Sequence, residues 1–324
     1  MHDSIKFKEL KKGVNGGNLY DYHAVLSLSE EHEVVADEKA VWQHDNPISY
    51  ALRLRRKPKA EVSVSEPYPI VFGNLSNSKY NVGIIHHIDF ERKNNSLKHR
   101  WFFNRLLKRV KKLDCLVVVS NYWKKYFEEA GCSKVKTIYN SFDPELYLFN
   151  EEEKSTLRKS LGFATDQPLV YIGNATKEKG VYEVYEALKG IKGIQMVMTG
   201  RANQAKELPV KFLSLSEEKY RLLLASCDVV VAFSKMMEGW NRIAHEAMLC
   251  KVPVVGSGIG GMRELLEGGQ QLIAQEESKL KGQVEKAFQE KTTLGELGYH
   301  YASQFNHDYF RKSWLDLIAN LQEH

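Results

Sequence analysis

The chain has 324 residues, of which 43% are apolar and 27% are charged. At roughly 100–200 residues per domain, this length predicts about two globular domains with a sizeable core, and it excludes a small disulfide scaffold. No stretch approaches the roughly 18 consecutive apolar residues of a membrane-spanning helix, and the first twelve residues lack the apolar region of a secretory signal. The four cysteines lie far apart without a CxxC pair, which favours reduced core residues in a cytoplasmic protein over a metal site.

The net charge of +5 is unevenly distributed along the chain. Residues 1–150 contain 24 Lys and Arg against 18 Asp and Glu, whereas residues 151–324 contain 22 against 23. Two basic clusters, Arg53–Lys59 and Arg92–Lys112, account for most of the excess. We therefore expect an anionic partner to meet the N-terminal half.

Apolar runs rich in β-branched residues alternate with amphipathic helical stretches, a pattern typical of βαβ units and parallel sheets. The first half contains six predicted strands: Ile5–Leu10, Glu33–Ala36, Ala60–Val64, Val82–His86, Asp114–Val119 and Val135–Ile138. It also contains three predicted helices: Leu19–Ser29, Ser96–Leu113 and Asn121–Ala130. The segment Asn140–Pro144 ends this series, because Asn, Asp and Pro interrupt regular structure.

A second series of elements follows this break. Its predicted strands are Leu169–Ile172, Gln195–Thr199, Val210–Phe212, Asp228–Phe233 and Val252–Gly256. Its predicted helices are Glu151–Leu161, Tyr182–Leu188, Glu217–Ser226, Arg242–Cys250, Met262–Leu266 and, last in the chain, Tyr309–Leu321. The fold class is thus α/β, with two Rossmann-like domains facing a cleft and the C-terminal helix packing back on the N-terminal domain. The predicted domains are residues 1–146 with 309–324, and residues 147–308.

The most informative segment runs from Phe233 to Met248. A strand ends, a loop carries Glu238, and a helix that starts near Asn241 carries Glu246. The unpaired N–H groups at the start of this helix suit a phosphate, whereas the two carboxylates oppose one and must serve another group. Sugar and ribose hydroxyl groups are the obvious donors for them, and a nucleotide sugar offers both around one pyrophosphate. Two glutamates at this spacing are often just solvated helix residues, but the strand–Glu–helix–Glu–strand order favours function.

Several segments together resemble the retaining glycosyltransferases of family 4, which have the GT-B fold. The pair Glu238-x7-Glu246 begins with Glu-Gly-aromatic, ends with Glu-Ala-Met and is followed by Pro-Val-Val. The likeness covers nearly the whole chain and includes four other segments: Tyr171–Gly173 with Glu178–Gly180, Val118–Ser120, Ile138–Asp143 and Gly16-Gly17.

The resemblance implies a role for each matching residue. Glu238 would contact the transferred hexose, Glu246 would bind the ribose hydroxyl groups, and Lys179 would neutralise the departing diphosphate. The other implied donor contacts are the glycine turn at Gly173 and the backbone amides of Trp240, Asn241 and Arg242. Where the family usually has Arg after the glycine, this chain has Asn174, and Arg242 or Arg201 would replace the missing cation.

Acceptor-side residues are expected in the N-terminal half. His86 and His87 end a predicted strand, and the resemblance implies that one histidine here faces the sugar. We favour His87 as the catalytic one because it lies nearer the loop, and we assign His86 to the acceptor side. Gly16 and Gly17 resemble the family's acceptor-side loop, although any turn would also favour glycine.

The predicted helix Ser96–Leu113 has one apolar face, formed by Phe102, Phe103, Leu106, Leu107, Val110 and Leu113. Trp101 falls among the cations of the other face, which include Arg105, Lys108 and Lys112. A Trp among Lys and Arg residues favours contact with an anionic membrane surface. The alternative is a core-packed helix with a solvated outer face.

These observations predict a cytoplasmic enzyme, peripheral at the inner face of a membrane, that moves a hexose from a UDP- or GDP-sugar to a glycan or lipid-linked acceptor. The resemblance implies retention of configuration, with no bound metal or other cofactor. The alternatives are a nucleotide-sugar epimerase or phosphorylase of the same architecture, and a non-catalytic protein that binds membranes or nucleic acid. A nucleic-acid partner is not expected, because the basic segment is helical and not a stacking sheet. A dinucleotide oxidoreductase is disfavoured because the early glycines do not have the G-x-G-x-x-G spacing.

Overall fold

The computed structural model describes residues 16–35 and 60–323, and the elements below are numbered within these ranges. The chain divides into two compact units. The first contains the residues up to Ser141 together with those from His307 onward, and the second contains Phe142–Asn306. The predicted strand Ile5–Leu10 and the basic cluster Arg53–Lys59 lie outside the described residues.

The first unit is built on a sheet of four parallel strands in the order β1-β2-β3-β4. The strands are β1 (Ala60–Ser65), β2 (Ser78–Ile85), β3 (Cys115–Val118) and β4 (Val135–Thr137). The helices before the second unit are α1 (Gly16–Ser29), α2 (Pro67–Phe72), α3 (Phe90–Asn95), α4 (Leu97–Val110) and α5 (Asn121–Glu129). All four residues of β3 are buried, as expected for an inner strand of a parallel sheet with both faces covered.

The second unit contains a six-stranded parallel sheet in the order β10-β9-β8-β5-β6-β7. Its strands are β5 (Leu169–Asn174), β6 (Gln195–Thr199), β7 (Lys211–Leu213), β8 (Val229–Ala232), β9 (Val254–Gly256) and β10 (Leu272–Ile273). Its helices are α6 (Glu151–Ser160), α7 (Val181–Leu188), α8 (Glu217–Ser226), α9 (Arg242–Leu249), α10 (Met262–Gly268), α11 (Glu277–Gln289) and α12 (Lys291–Ala302).

The strand order of this second sheet reverses beside its first strand. The chain adds β6 and β7 on one side of β5, and it then crosses to place β8 on the other side. In open α/β sheets, ligands bind outside the carboxyl ends of the strands where the order reverses. The loops that follow β5 and β8 are therefore the place to look for a ligand site.

The last helix, α13 (His307–Gln322), returns to the first unit and packs on α1. The ring of Tyr20 on α1 lies edge-on to Phe310 and Trp314, with centroid distances of 4.9 and 6.4 Å. Phe310 and Trp314 are buried, which gives the apolar stripe of this helix the surface that it needs. The prediction that the C-terminal helix packs on the N-terminal domain is confirmed.

The α/β class with two Rossmann-like parallel sheets is also confirmed, while several individual elements differ from their predictions. Within the predicted strand Glu33–Ala36, the described residues Glu33–Val35 form no strand, and Val35 is 81% exposed. A pair of valines between charged residues is too short an apolar run to be held in a sheet. Four helices were not predicted: α2, α3, α11 and α12. All four cysteines are buried with free thiol groups, as predicted.

Candidate functional site

The loops after β5 and β8 meet at the carboxyl edge of the second sheet. Lys179 ends a 3-10 turn after β5, and its Nζ lies 2.7 Å from Oε1 of Glu238 in the loop after β8. The side chains of Lys179 and Glu238 are 30% and 13% exposed, so the pair is partly accessible from solvent. The backbone N–H of Lys235 donates to the carbonyl of Glu178 at 2.9 Å, which joins the two loops independently of the ion pair.

Gly180 allows this close approach of the two loops. It lies in the left-handed region at φ 70°, and a β-carbon at this position would stand 2.1 Å from the carbonyl oxygen of Phe233. Because only glycine has no β-carbon, the backbone requires glycine at position 180. The glycine thereby fixes where Lys179 stands relative to the loop that carries Glu238.

The loop after β9 holds Glu238 from its other side. Glu238 and Gly260 form an isolated parallel bridge, and the N–H of Gly261 donates to the Glu238 carbonyl at 2.9 Å. Gly260 has a φ of 68°, and a β-carbon there would lie 2.5 Å from that same carbonyl oxygen. The loop after β9 thus fixes the backbone of Glu238, while Lys179 after β5 contacts its side chain.

Asn241 begins α9 in the left-handed conformation, with φ 73°. Its side-chain oxygen accepts a hydrogen bond from the N–H of Ala244 at 2.9 Å, so it caps the helix. Asn is one of the few residues besides glycine that adopts this conformation, because its short side chain bonds locally. Asn241 therefore both turns the chain into α9 and caps the helix.

Glu246 lies in the second turn of α9 and is 9% exposed. A guanidinium nitrogen of Arg242, one turn earlier, lies 3.4 Å from its Oε1, and Arg242 also covers the ring of Phe142 at 4.3 Å. Burial raises the pKa of Glu246 above its ordinary value, and the nearby Arg242 guanidinium partly offsets this. The ionised form of this carboxyl group is the form that accepts hydrogen bonds from hydroxyl groups.

The side chain of Trp240 belongs to the core of the second unit. It is 2% exposed, and its Nε1–H donates to Nδ1 of His245 at 2.9 Å. His245 Nε2 in turn donates to the carbonyl of Ala302 at 3.1 Å, a tautomer assigned from these two partners. Burial, with a smaller contribution from Arg242, lowers the pKa of His245 to about 3, so the imidazole is neutral at physiological pH. Only the backbone of Trp240 is left to face a ligand.

The remaining donor-side residues lie where β5 and β6 end. Gly173, at φ 123°, occupies the end of β5, where a β-carbon would meet the Val181 side chain at 3.2 Å. The side-chain oxygen of Asn174 stands 2.8 Å from where a β-carbon on Gly200 would be, so these two loops are also adjacent. Arg201 follows Gly200 and is exposed at this edge.

In the first unit, His86 and His87 follow β2 directly. His86 is half-buried, with Nε2 3.5 Å from Oδ1 of Asp21 and its ring 5.0 Å from that of Tyr20. Burial raises the pKa of Asp21 to about 6. His87 is exposed. The expectation that Gly16 and Gly17 form a loop is wrong, because they are the first residues of α1.

Of the residues that the sequence analysis assigned to membrane contact, Trp101, Arg105 and Lys108 lie on α4, and Lys112 follows just after the helix ends. Trp101 is 54% exposed, and Leu97, one turn earlier, is 77% exposed. Lys108 and Lys112 are exposed farther along the chain. Arg105 is partly engaged within the unit, since its Nε donates to the Val71 carbonyl at 3.1 Å and its guanidinium lies 5.8 Å from the Trp101 ring.

Sequence reasoning missed the contacts of Tyr171 on β5. Its hydroxyl lies 2.8 Å from Oγ1 of Thr199, and its ring centroid lies 6.4 Å from that of Tyr220 on α8. No local signal marks these contacts, because they depend on how elements far apart in sequence pack together. No group of three or more His, Cys, Asp or Glu side chains within residues 16–35 and 60–323 could hold a metal ion. Nor does any helix in these two ranges have the length and apolar character needed to cross a membrane.

Residues 166–290, which contain Lys179, Glu238 and Glu246, match the family model described as glycosyl transferases group 1. An uncharacterized glycosyltransferase of Methanocaldococcus jannaschii is 30% identical over 152 residues, which are 41% of this chain and 39% of the relative. A putative teichuronic acid biosynthesis glycosyltransferase of Bacillus subtilis is 31% identical over 137 residues, 40% of this chain and 34% of the relative. The chain thus spans between about a third and two fifths of the length of these two curated relatives.

The comparison with solved structures extends over nearly the whole chain. Anabaena HepE in complex with UDP-glucose has a TM-score of 0.74 at 20% identity and covers 95% of this chain and 97% of its own. Sucrose-phosphate synthase from Thermosynechococcus elongatus has a TM-score of 0.75 at 16% identity, with coverage of 96% and 94%. At these identities the likeness establishes the fold. The chain therefore has the GT-B fold, and its residues 166–290 are similar to glycosyl transferases of group 1.

Proposed function

We propose that the protein is a hexosyltransferase that moves a sugar from a nucleoside-diphosphate donor to an acceptor hydroxyl group with retention of configuration. The observation that carries this proposal is the assembly of Lys179 and Glu238 in contact where the strand order of the second sheet reverses, with Glu246 on the helix that follows. All three residues fall within the segment that matches group 1 glycosyl transferases.

The chemistry of these side chains fits a nucleotide sugar. Glu238 accepts hydrogen bonds from hexose hydroxyl groups, and Glu246 accepts them from the ribose. Lys179 has three N–H donors, so it binds a phosphate oxygen while it keeps its contact with Glu238. Anabaena HepE has this fold and was solved with UDP-glucose, which makes UDP-glucose the first donor to test, followed by GDP-sugars.

In the proposed reaction, the bond between the anomeric carbon and the β-phosphate oxygen breaks while the acceptor oxygen attacks from the same face. The acceptor proton passes to the departing phosphate. Lys179, with Arg242 and Arg201 as further cations, stabilises the negative charge that grows on the diphosphate, which is the role we assign to side chains and not to a metal ion. We assign His87, His86 and the start of α1 at Gly16 and Gly17 to a glycan or lipid-linked acceptor.

The test is donor binding followed by turnover. We expect one of UDP-glucose, GDP-mannose and ADP-glucose to raise the melting temperature of the wild-type protein. A ligand at 100 times its Kd adds about 2.7 kcal/mol to the folded state. Glu246→Gln should weaken binding of the free nucleoside diphosphate about tenfold or more, whereas Glu238→Gln should spare it and impair transfer. Glu285→Gln, an exposed glutamate of the same unit, is the matched control.

Product analysis distinguishes this proposal from its alternatives. A transferase releases free nucleoside diphosphate and forms a new glycoside whose anomeric configuration is that of the donor. An epimerized nucleotide sugar, or a sugar phosphate formed from inorganic phosphate, would overturn the proposal in favour of an epimerase or a phosphorylase. Equal loss of nucleotide affinity in Glu246→Gln and Glu238→Gln would overturn the assignment of the two carboxylates.

We also propose that α4 attaches the protein to the inner, anionic face of a membrane, where a lipid-linked acceptor would be found. The supporting observation is that Leu97 and Trp101, at successive turns of the helix, are exposed, as are Lys108 farther along it and Lys112 just after its end. An apolar side chain at headgroup level together with cations is the pattern of interfacial helices. Each cation adds about 1 kcal/mol near an anionic surface, and salt screens this over roughly 10 Å.

Sedimentation with vesicles tests this attachment. We expect binding to phosphatidylglycerol vesicles at low salt, release at high salt and no binding to phosphatidylcholine vesicles. The triple variant Trp101→Ala, Lys108→Ser and Lys112→Ser should lose binding. The control is a triple variant of α5: Tyr122→Ala, Lys124→Ser and Lys125→Ser. It removes one aromatic side chain and two cations elsewhere in this unit, and it should still bind the vesicles. A wild-type protein that ignores anionic vesicles, or equal losses in both variants, would refute the attachment.

A further inference from the structure

Arg242 stands where the helix itself does not favour a positive charge. It is the first residue of α9, at the end of the helix where the dipole is positive and a cation is destabilising. The first turn of α9 has no acidic residue, and the carboxylate that balances Arg242 is Glu246, at 3.4 Å in the next turn. A side chain that goes against a local rule of this kind is expected where a ligand requires it.

The ring of Phe142 restrains this side chain. The guanidinium carbon of Arg242 lies 4.3 Å from the ring centroid, within the range of a cation–π contact. The ring is itself held by its surroundings: Phe142 is 3% exposed, its centroid lies 4.0 Å from that of His245 with the planes 21° apart, and its N–H donates to the Phe305 carbonyl at 3.0 Å. A fixed ring thus limits the rotamers of a long side chain, which reduces the entropy that Arg242 loses when it binds a ligand.

Part of the Arg242 fork remains available to a ligand. A guanidinium has five N–H donors in a planar arrangement that matches two oxygens of a phosphate. One terminal nitrogen lies at the long distance of 3.4 Å from Glu246, and within residues 16–35 and 60–323 Glu246 is the one hydrogen-bond partner of the guanidinium. The side chain is 21% exposed, so it is accessible to a ligand that arrives from solvent.

Resting on the proposed function, we propose that Phe142 is a positioning residue for the donor: its ring holds the Arg242 guanidinium where it binds the β-phosphate, on which charge grows as the donor is cleaved. Lys179 is paired with Glu238 at 2.7 Å, so its charge is already balanced and a second cation is needed for the diphosphate. Without the ring, the guanidinium is free to close on Glu246 as a two-point ion pair, in which it is lost to the ligand.

The readout is the affinity that the β-phosphate adds, measured by calorimetry as the ratio of the Kd of the nucleoside monophosphate to that of the diphosphate. The pairs are UMP and UDP, GMP and GDP, and AMP and ADP. Arg242→Gln should lower the ratio for the preferred base about tenfold, since bonds between charged groups are lost. Phe142→Leu keeps an apolar side chain but removes the ring, and it should lower the ratio about fivefold.

Two further measurements separate positioning from packing. Phe305→Leu is the matched control, because this buried ring also lies beside His245, at 5.8 Å, and its loss should leave the ratio unchanged. In an Arg242→Gln background, Phe142→Leu should cause no further fall in the ratio, because the two changes remove the same interaction. The melting temperature of each variant shows whether it is folded, and Arg242→Gln, at a partly exposed side chain, tests the β-phosphate contact even if Phe142→Leu does not fold.

The possible failures are distinct. A wild type that binds none of the six nucleotides would overturn the proposed function and this inference with it. A wild type that binds a nucleoside diphosphate, with an unchanged ratio in Arg242→Gln or in Phe142→Leu, would overturn the inference alone. The inference alone would also be overturned if Phe142→Leu weakens the monophosphate and the diphosphate equally, or if Phe305→Leu lowers the ratio as much as Phe142→Leu does.

Discussion

Replacement of His245 by Gln is expected to reduce the loss of stability that the second unit suffers on acidification. His245 is fully buried, and both ring nitrogens are engaged, Nδ1 as the acceptor for Trp240 and Nε2 as the donor to Ala302. Protonation in the folded state would remove that acceptor and place a buried positive charge near Arg242. The imidazole therefore stays neutral when folded, with a pKa of about 3.

The magnitude follows from linkage between protonation and folding. In the unfolded chain the histidine has its ordinary pKa of about 6.5, so between about pH 6.5 and about pH 3 the unfolded state binds a proton that the folded state does not. Stability due to this group is fully present above this window and is lost as the pH falls through it. Between pH 7 and pH 5 the loss amounts to about 2 kcal/mol.

Urea unfolding at pH 7, 6 and 5 measures the effect as a difference between proteins, so that all other titrating groups cancel. Gln retains an acceptor and a donor but cannot be protonated, and it is less stable at pH 7 by the lost stacking on Phe142, whose centroid lies 4.0 Å away. The difference in the free energy of unfolding between the wild type and His245→Gln should narrow by about 2 kcal/mol between pH 7 and pH 5. The gap for His300→Gln, at an exposed histidine of α12, should stay constant. A constant gap for His245→Gln would refute the reasoning, because His245 would then titrate in the folded protein.

Substitutions at three other positions, Lys179, Asn241 and Gly260, test the site. Lys179→Ala should lower the turnover number more than it raises KM for the donor, because negative charge on the diphosphate grows as its bond to the sugar breaks. If steady-state kinetics show an unchanged turnover number, Lys179 only binds the donor. Asn241→Ala should lower the free energy of unfolding by about 1–3 kcal/mol and Asn241→Gly by only a few tenths, since Ala loses the cap and is strained at this φ; urea unfolding with equal costs would contradict this. Gly260→Ala should abolish most transfer by pushing the Glu238 loop away, while Gly282→Ala, where a β-carbon meets nothing within 4 Å, should have normal rates; equal rates in a transfer assay would exclude this role of the bridge.

The alternation of apolar runs and amphipathic stretches was sufficient to predict the class and most elements of the second unit, because its inner strands are continuous apolar runs. The helix α12 could not be predicted, since Gly295 and Gly298 argue against a helix in isolation. In the fold, a β-carbon on Gly295 would lie 2.3 Å from the Lys251 carbonyl, so the glycines are there to let the backbones approach. Tertiary packing thus overrides local propensity in this helix.

Within the site, the motif spacing led to Lys179, Glu238 and Glu246, because each lies in the loop after a strand or in the helix that follows that loop. What the sequence could not supply was the contact between Lys179 and Glu238 across 59 positions, or the hydrogen bond between Tyr171 and Thr199. Such contacts depend on the packing of elements that are far apart in sequence. Neither leaves a periodic signal in the sequence.

Because α13 belongs to the first unit but is the last helix to be synthesised, the first unit cannot finish folding when its N-terminal part leaves the ribosome. The ribosome must complete the whole of Phe142–Asn306 before His307–Gln322 emerges to cover Tyr20. Until then, the apolar side of α1 is exposed on the nascent chain, whereas the second unit has all its elements in one continuous stretch and is free to fold first. The N-terminal unit is therefore the last to become complete.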